Sequence, residues 1–325
     1  MRIDKIIDAI TKKIFNPWLI RDILRGNISW KLRLFAIGIA LKKKILLWKR
    51  WPFQWLHTIE WIKQYTISWK SFDPQSKKNG ITALGRFKNS ADFLEISMRS
   101  ILPYIDEMIM LVDTSSTDTT LDICQRLALE FPTQCKLYTY DQAVYPWNHE
   151  KYVSNQDNSV YALSYFYNYC MSKASYKYVM KFDDDMLCVG EDFWKICNSI
   201  RNDGLQSFLD IPQINISRNG TGELSIANKY LSSWIAGIFW DHGIFPLSNK
   251  TYFFNDTGCE NLIAPYWIQY SQTIWFLHLK NLKSGWWMKN YDGYGVEYIK
   301  KLNEWSTYIS LPKKYKDILS KRGIE

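Results

Sequence analysis

The spacing of apolar residues divides this chain into two parts that meet near residue 72. Near the N-terminus, five isoleucines recur at helical spacing: Ile3, Ile6, Ile7, Ile10 and Ile14. This pattern predicts an amphipathic helix, and Pro17 should end it because proline interrupts the helical hydrogen bonds. From residue 28 to 65, lysine and arginine are mixed with tryptophan and aliphatic residues, which predicts a basic helical extension.

Short apolar strands alternate with helix-length segments after that boundary. The strands are predicted at residues 81–89, 107–112, 137–140 and 176–182. The helices are predicted at residues 91–102, from about 120 to the residue before Pro132, and at 157–174. This alternation predicts a Rossmann-like α/β fold, with a mostly parallel sheet flanked by helices. The pattern further predicts a helix at residues 190–200, a strand at 208–216 and a hairpin turn at 217–222.

Chain breakers between residues 71 and 80 separate the two parts. We therefore predict a basic, Trp-rich extension at residues 1–75 and an α/β domain at 76–325. The longest uncharged apolar run of the extension, residues 34–41, is shorter than the ~20 residues that a membrane-spanning helix needs. Interleaved basic and tryptophan residues suit a membrane surface, but an apolar helix face also packs on protein, so both alternatives stay open.

Composition narrows the class of protein. The chain has 325 residues, of which 47% are hydrophobic, and this supports a large core rather than disorder. Its formal net charge of +9 favours anionic partners such as nucleotide diphosphates, acidic lipid headgroups or nucleic acid. The six cysteines are scattered without a Cys-x-x-Cys pair, so a reduced, cytoplasmic setting fits best. Asp4 and Asp8 interrupt the first apolar residues, so no secretion signal is predicted.

Three adjacent carboxylates, Asp183, Asp184 and Asp185, directly follow the predicted strand at 176–182. Ligands of open α/β sheets bind at the carboxyl ends of the strands, so these side chains are expected at a binding site. Adjacent carboxylates raise each other's pKa unless a cation or strong donors compensate them. Oxygen ligands of this kind suit Mg²⁺ or Mn²⁺, and the alternative is a solvated acidic turn.

Polar residues also follow the first two predicted strands. The turn at residues 113–120 is rich in hydroxyl groups and offers backbone N–H groups to a ribose or a phosphate. Its alternative role is to cap the next helix. Arg86 and Lys88, at the end of the first strand, are expected to add positive charge near phosphates, unless they belong to a solvated basic loop.

In this order and on these elements, the motifs resemble those of family 2-type glycosyltransferases with the GT-A fold. Residues 112–120, V-D-T-S-S-T-D-T-T, are similar to the family's V-D-D-G-S-T-D-G-T segment, and residues 183–185 are similar to its D-x-D motif. Thr114 and Ser115 depart from the family's second acid and glycine. The resemblance covers residues 81–192, with a weaker likeness to the end of the chain.

The resemblance implies a nucleotide-sugar half at residues 76–192 and an acceptor half at 193–325. Asp113 would contact the base or ribose, while Asp183 and Asp185 would position the ribose and a metal-bound diphosphate. The residues implied in nucleotide binding are Asp113, Asp118, Arg86, Lys88, Asp183, Asp184 and Lys280. The implied metal is Mn²⁺ or Mg²⁺, with Asp183, Asp185 and His278 as ligands. The alternative for the histidine is a hydrogen-bonded place in the core.

For the acceptor half, the segment from Asp256 to Leu262 resembles the region from which inverting members draw a catalytic base. Glu260 is the candidate base and Asp241 the reserve, because a sugar hydroxyl must lose its proton as it attacks the anomeric carbon. The alternative for either acid is a surface or helix-capping position. Lys280 and Lys283 are expected to meet the diphosphate, and Gly- and Trp-rich residues 284–295 are expected to form a lid.

We therefore predict a metal-dependent glycosyltransferase that transfers a sugar from a nucleotide-diphosphate donor, UDP-sugar first, to a hydroxyl of a glycan or glycolipid with inversion. A retaining enzyme on the same fold is the closest alternative. A phosphate-transfer enzyme is disfavoured because Leu187 stands where aspartyl phosphatases carry threonine or valine. A non-enzymatic membrane- or nucleic-acid-binding module leaves the carboxylates unexplained, and nucleic acid is not an expected partner. The expected location is cytoplasmic, with residues 1–75 in peripheral contact with the cytoplasmic face of the inner membrane.

Overall fold

The computed structural model describes residues 58–145, 158–219, 221–229, 238–239, 243–256, 259–263, 268–271, 273–279, 282–283 and 306–324. These residues belong to one compact unit. The predicted helix and basic segment up to residue 57, and the predicted lid at 284–295, lie outside these ranges and stay predictions. Among the helices that are described, none has the length and apolar character needed to cross a bilayer.

The described elements follow the predicted alternation. The strands are β1 (Lys78–Phe87), β2 (Glu107–Asp113), β3 (Cys135–Tyr140), β4 (Tyr176–Lys181), β5 (Met186–Cys188), β6 (Phe208–Asp210), β7 (Gln213–Arg218), β8 (Leu224–Lys229), β9 (Ile238–Phe239), β10 (Gly243–Pro246), β11 (Tyr252–Asp256), β12 (Cys259–Ile263), β13 (Ile268–Tyr270), β14 (Phe276–His278) and β15 (Ser306–Ser310). The helices are α1 (Leu94–Ile101), α2 (Thr120–Glu130), α3 (Leu163–Ser172), α4 (Phe193–Asp203) and α5 (Lys313–Ser320). Short 3-10 turns lie at Lys63–Tyr65, Trp69–Phe72, Pro74–Ser76 and Leu102–Tyr104.

A seven-stranded sheet in the order β13-β6-β10-β4-β1-β2-β3 forms the centre of this unit. Strands β4, β1, β2 and β3 run parallel to one another, whereas β10 is antiparallel to both β4 and β6. Every residue of β2 is buried, as expected for a central strand that is covered on both faces. The predicted α/β fold with a mostly parallel sheet is therefore confirmed.

The largest core lies where this sheet meets three helices. Helices α1, α2 and α4 each contribute apolar residues three or four positions apart, so one face of each helix is buried. These residues are Leu94, Met98, Ile101, Ile123, Leu127, Phe193, Cys197 and Ile200. The apolar faces that this helical spacing creates therefore pack the helices on the sheet and hold the strand ends in place.

A second sheet has the order β15-β8-β7-β14-β5, and β9 also pairs with β7. Because β4 ends at Lys181 and β5 begins at Met186, the three aspartates lie in the turn that leaves the central sheet and enters the second one. Strand β14 pairs with β5 and places His278 opposite Met186. Strands β7 and β8 pair antiparallel and the Gly222 N–H donates to the Asn219 carbonyl (2.9 Å), which confirms the predicted hairpin.

Two predicted strands differ from the observed ones. The strand predicted at residues 208–216 is two strands, β6 in the central sheet and β7 in the second sheet. Pro212 lies between them and has no N–H to donate to a strand ladder, so the chain changes sheets there. The strand predicted at 81–89 ends earlier, at Phe87, because Asn89 has a left-handed backbone with φ 48°.

The helix predicted at residues 157–174 is also shorter, because α3 begins at Leu163. The Glu60 carboxylate accepts hydrogen bonds from the Ser159 hydroxyl (2.6 Å) and the Val160 N–H (3.0 Å). A distant side chain thus holds residues before α3 in a turn, which local periodicity cannot reveal.

Glu107 at the start of β2 is a buried acceptor that joins two neighbouring segments. It accepts from the Thr82 hydroxyl (2.8 Å) and from the Ser175 N–H and hydroxyl (both 2.7 Å).

We expect Glu107→Gln to lower the free energy of unfolding by about 2 kcal/mol in urea titrations, because an NH₂ group would face these donors. Glu191→Gln, at an exposed carboxylate, is the control and should leave stability unchanged. Equal stability of the two variants would contradict this account.

Candidate active site

The carboxyl ends of β4, β1 and β2 lie side by side at one edge of the central sheet. The parallel register aligns Leu84 of β1 with Lys181 of β4, and Phe87 of β1 with Val112 of β2. The aspartate turn after β4 and the hydroxyl-rich turn after β2 are thus two strand spacings apart, about 10 Å. Two motifs that are distant in sequence therefore meet at one sheet edge.

Asp113, at the end of β2, is fully buried and held by protein donors. Its Oδ1 accepts the Ser115 N–H (2.8 Å), while Oδ2 accepts the Val144 N–H (3.0 Å) and lies 2.9 Å from Lys88 Nζ. Lys88 Nζ also donates to the Val144 carbonyl (2.9 Å). An ionised carboxylate can accept about four hydrogen bonds, two on each oxygen. The three donors therefore leave one acceptor position of Oδ1 unused. Lys88 is thus tied to Asp113 and does not lie in a solvated loop.

Asp118 holds the turn itself. Its Oδ1 accepts the N–H (3.0 Å) and the hydroxyl (2.5 Å) of Thr120 at the start of α2, and its Oδ2 accepts the Ala91 N–H (2.9 Å). These bonds satisfy a free N–H at the helix start and join the turns that follow β1 and β2. They give Asp118 the capping role that the sequence analysis keeps as the alternative to nucleotide contact.

Asp183 is paired with cations from two strands. Arg86 Nη2 lies 2.5 Å from Asp183 Oδ1, and Lys181 Nζ lies 3.5 Å from Oδ2. The Arg86 guanidinium also stacks on the ring of Tyr167 in α3, and its side chain is buried. In the structure, Arg86 therefore pairs with the Asp183 carboxylate, whereas the sequence analysis expects it near phosphates or in a solvated loop.

Lys283 lies between the other two aspartates. Its Nζ is 2.9 Å from both carboxylate oxygens of Asp184 and 2.9 Å from Asp185 Oδ2. The exposed fractions of the side chains are 13% for Lys283, 9% for Asp184 and 5% for Asp185. A buried ammonium between two carboxylates supplies the positive charge that adjacent aspartates need. The sequence analysis expects Lys283 at a diphosphate, but its contacts here are these aspartates.

Burial and charge separate the pKa values of this group. Burial raises the pKa of Asp184 from 3.8 to about 6, and Lys283 offsets only part of that rise. Burial also acts to raise the pKa of Asp185, but Lys283 and His278 hold that pKa well below its usual range. Burial acts to lower the pKa of Lys283, and the two carboxylates outweigh it, so that pKa is raised. Near neutral pH, Asp185 therefore carries negative charge opposite a lysine that stays protonated.

His278 is oriented toward Asp185 by Asn215 on β7. His278 Nδ1 lies 2.6 Å from Asn215 Oδ1, and because an amide oxygen can only accept, Nδ1 carries the proton and donates it. His278 Nε2 lies 3.3 Å from Asp185 Oδ1. That oxygen is buried and accepts no well-formed hydrogen bond. An imidazole nitrogen and a carboxylate oxygen can both bind a divalent cation, so these two neighbouring atoms are candidate metal ligands.

The pair Asp185 and His278 fits a Mg²⁺ or Mn²⁺ ion that takes its other ligands from substrate and water. Adjacent ligands of an octahedral ion with bonds of ~2.1 Å lie about 3 Å apart. Mg²⁺ usually binds one or two carboxylates together with substrate phosphates, not a complete protein cage. Within the described part of the chain, no cluster of three or more His, Cys, Asp or Glu side chains that could hold a metal occurs. Asp183, the third predicted ligand, faces Arg86.

The remaining predicted residues are not tested by this geometry. Asp241 and Lys280 lie outside the described residues. Glu260 lies on β12, where it pairs with Asn255 of β11. The catalytic roles of Glu260 and Asp241 and the nucleotide contact of Lys280 therefore stay predictions.

Two contributors to the site are missed by sequence reasoning. Asn215 is a buried polar residue between Ile214 and Ile216. A polar residue inside an apolar strand is the sequence signal that could have identified it. Val144 contributes only backbone N–H and carbonyl groups to Asp113 and Lys88. A backbone contribution of this kind leaves no mark on residue type, so no sequence signal identifies it.

Comparisons with known proteins found likeness at the level of structure. No family model and no curated protein sequence matches this chain. A mannosyltransferase from Pyrobaculum calidifontis, solved with GDP-Man and Mn²⁺, is 17% identical over 45% of this chain and 37% of its own, with a TM-score of 0.30. Residues 1–349 of TarS from S. aureus are 14% identical over 73% of this chain and 68% of that one, with a TM-score of 0.36.

A third solved structure is glucosyl-3-phosphoglycerate synthase from Mycobacterium tuberculosis, with Mn²⁺, UDP and phosphoglyceric acid. It is 17% identical over 48% of this chain and 49% of its own, with a TM-score of 0.27. The matched region thus spans about half or less of the synthase and of the mannosyltransferase. All three TM-scores are below 0.5, so the proposals that follow rest on the residues of the site.

Proposed function

We propose that this chain is a GT-A type glycosyltransferase that uses a nucleotide-diphosphate sugar and a divalent cation. The observation that carries the proposal is that His278 Nε2 lies 3.3 Å from the buried Asp185 Oδ1, an oxygen that accepts no well-formed hydrogen bond. The pair lies at the carboxyl edge of the central sheet, where the D-x-D motif of the family is expected. Mn²⁺ or Mg²⁺ bound there would act as a Lewis acid on the diphosphate leaving group.

The residues at the end of β2 would bind the nucleoside. Asp113 keeps one acceptor position on Oδ1, which suits an N–H of a base or a ribose hydroxyl. Lys88 supplies positive charge beside it and fixes the Val144 carbonyl. Asp183, held by Arg86, would accept a ribose hydroxyl with an oxygen that is already oriented. Residues 76–192 would thus form the nucleotide-sugar half and residues 193–325 the acceptor half.

Transfer also needs a base for the acceptor hydroxyl of a glycan or glycolipid. Glu260 is the proposed base and Asp241 the reserve, and a carboxylate in that role supports inversion by a single displacement. Lys280 would meet the diphosphate as negative charge develops on it. The Trp-rich residues 1–75 would hold the acceptor side near the cytoplasmic face of a membrane, where basic residues meet acidic headgroups.

The proposal is tested by thermal unfolding of the whole chain with a panel of nucleotide sugars and nucleoside diphosphates, each with Mn²⁺ or with EDTA. We expect one nucleoside class, UDP first, to raise the Tm by about 5 °C at 100-fold excess over Kd, and only with Mn²⁺. UMP is the control, because it lacks the second phosphate that would reach the cation. A panel without metal-dependent stabilisation would contradict the proposal.

Stereochemistry is tested separately on the product. We expect the anomeric configuration to be opposite to that of the donor, because a single displacement inverts the reacting carbon. Glu260→Gln should then reduce kcat by about 100-fold or more with little change in donor Kd, since general-base catalysis contributes that order of magnitude. A product that keeps the donor configuration would instead support the retaining alternative.

A further inference from the structure

A segment before β1 braces the loop that carries Val144. Residues 58–65, here called the strap, contact Asp141 and residues 158–160. Tyr65 donates its hydroxyl proton to the Asp141 carboxylate, and that hydroxyl oxygen accepts the Asp141 N–H at 2.9 Å. Gln64 Nε2 lies 3.1 and 3.2 Å from the two carboxylate oxygens of Asp141. The strap therefore fixes the residue that directly follows β3.

The strap also holds the segment that leads into α3. Glu60 accepts from the Ser159 hydroxyl (2.6 Å) and the Val160 N–H (3.0 Å), and the Ile59 N–H donates to the Asn158 carbonyl (3.0 Å). Neighbouring strap residues thus hold residues that lie about 100 positions further along the chain. Both described ends of the loop between β3 and α3 are anchored to one short segment.

Tyr65 is buried and packs among other tyrosines. Its ring is 3% exposed and packs on Tyr140 (4.4 Å between centroids) and Tyr169 (5.2 Å). The Tyr165 hydroxyl donates to the Tyr65 carbonyl (2.5 Å). Burial, together with the Asp141 carboxylate, raises the pKa of Tyr65 to about 12, so the hydroxyl stays a donor over the physiological range.

Asp141, which the strap anchors, lies three positions before Val144, whose backbone N–H binds Asp113. Val144 is buried, and its N–H and carbonyl groups bind Asp113 and Lys88. Only two residues lie between Asp141 and Val144, so we expect a displacement of Asp141 to reach Val144. Tyr65 thus contacts Asp141, the backbone runs from Asp141 to Val144, and Val144 contacts Asp113.

We propose that the strap is a positioning element for nucleoside binding, with Tyr65 and Glu60 as its positioning residues. The proposal rests on the proposed function, because it takes Asp113 and Lys88 as the nucleoside end of the site. In this role the strap sets the orientation of the Val144 backbone, which in turn orients the Asp113 carboxylate and Lys88.

The test uses Tyr65→Phe in the full chain, with Glu60→Gln as a second variant and Tyr138→Phe as the matched control. Tyr138 lies on β3, and its hydroxyl makes no hydrogen bond to the described residues. We expect Tyr65→Phe to weaken binding of UDP with Mn²⁺ about tenfold in calorimetry and to raise the donor KM equally. The value of kcat, the acceptor KM and the affinity for Mn²⁺ alone should stay as in the wild type.

Hydrogen exchange supplies a readout that needs no nucleotide. We expect the amides of Asp141 and Val144 to exchange at least about tenfold faster in Tyr65→Phe and unchanged in Tyr138→Phe. A variant with a lower Tm but wild-type exchange at Val144 and wild-type donor affinity would overturn the proposal and leave the strap as simple packing. If the wild type binds no nucleoside diphosphate, the proposed function fails. Unchanged exchange at Val144 in Tyr65→Phe would, independently, refute the positioning role of the strap. Should Tyr65→Phe not fold, Glu60→Gln is measured by the same readouts, because the Tyr145 N–H donates to the Tyr161 carbonyl (3.3 Å) and so joins the segment held by Glu60 to the residue after Val144.

Discussion

Asp185→Asn should remove the metal-dependent part of nucleoside diphosphate binding. We expect the affinity for UDP in the presence of Mn²⁺ to fall at least about 100-fold, to the level measured with EDTA. Asparagine keeps the size of the side chain but loses the charge of the oxygen that faces His278 Nε2 at 3.3 Å. Changes even to the groups around metal ligands commonly cost 10- to 100-fold in affinity, and loss of a charged ligand should cost more.

The measurement is calorimetric titration of UDP at saturating Mn²⁺ and again in EDTA. Asp122→Asn is the matched control, because it makes the same chemical change at an exposed carboxylate on α2. Thermal unfolding without ligand separates loss of binding from loss of fold, since Asp184 still pairs with Lys283 in the variant. Equal stabilisation of Asp185→Asn and the wild type by Mn²⁺ and UDP would remove the metal role of Asp185.

Lys283→Met should destabilise the metal-free chain by about 3 kcal/mol, because it leaves two buried carboxylates without their cation. Methionine fills a similar volume, so the effect reports lost charge and not a cavity. Mn²⁺ should restore much of this loss, since a bound ion stabilises the folded state in proportion to the logarithm of its concentration. We also expect Mn²⁺ to bind about tenfold tighter to the variant, because the neighbouring ammonium no longer repels it.

Chemical unfolding with and without Mn²⁺ measures both effects. Lys195→Met, an exposed lysine on α4, is the control and should unfold as the wild type does. A metal-free Lys283→Met that is as stable as the control would mean that Lys283 does not compensate the aspartates. If UDP binds more weakly to the variant at saturating Mn²⁺, Lys283 also meets the diphosphate, as the sequence analysis expects.

Local sequence signals predicted which of the candidate residues lie at strand ends, but not the contacts among them. The three aspartates follow an apolar run that forms β4, and the hydroxyl-rich turn follows the run that forms β2, so both were expected at strand ends. The split of residues 208–216 into β6 and β7 was missed, although Pro212 was a local signal for it. The late start of α3 had no such signal, because Glu60 causes it from about 100 residues away.

The sequence by itself determined the order of strands and helices and the placement of Asp183, Asp184 and Asp185 after a buried strand. These features depend on apolar spacing and chain breakers, which act between neighbours. Only the tertiary structure decided which cation each aspartate meets: Arg86 is 97 positions from Asp183, and Lys283 is 99 from Asp184. Pairing of β14 with β5 likewise brings His278 beside Asp185. Charge compensation and burial depend on distances in space, and sheet pairing sets those distances.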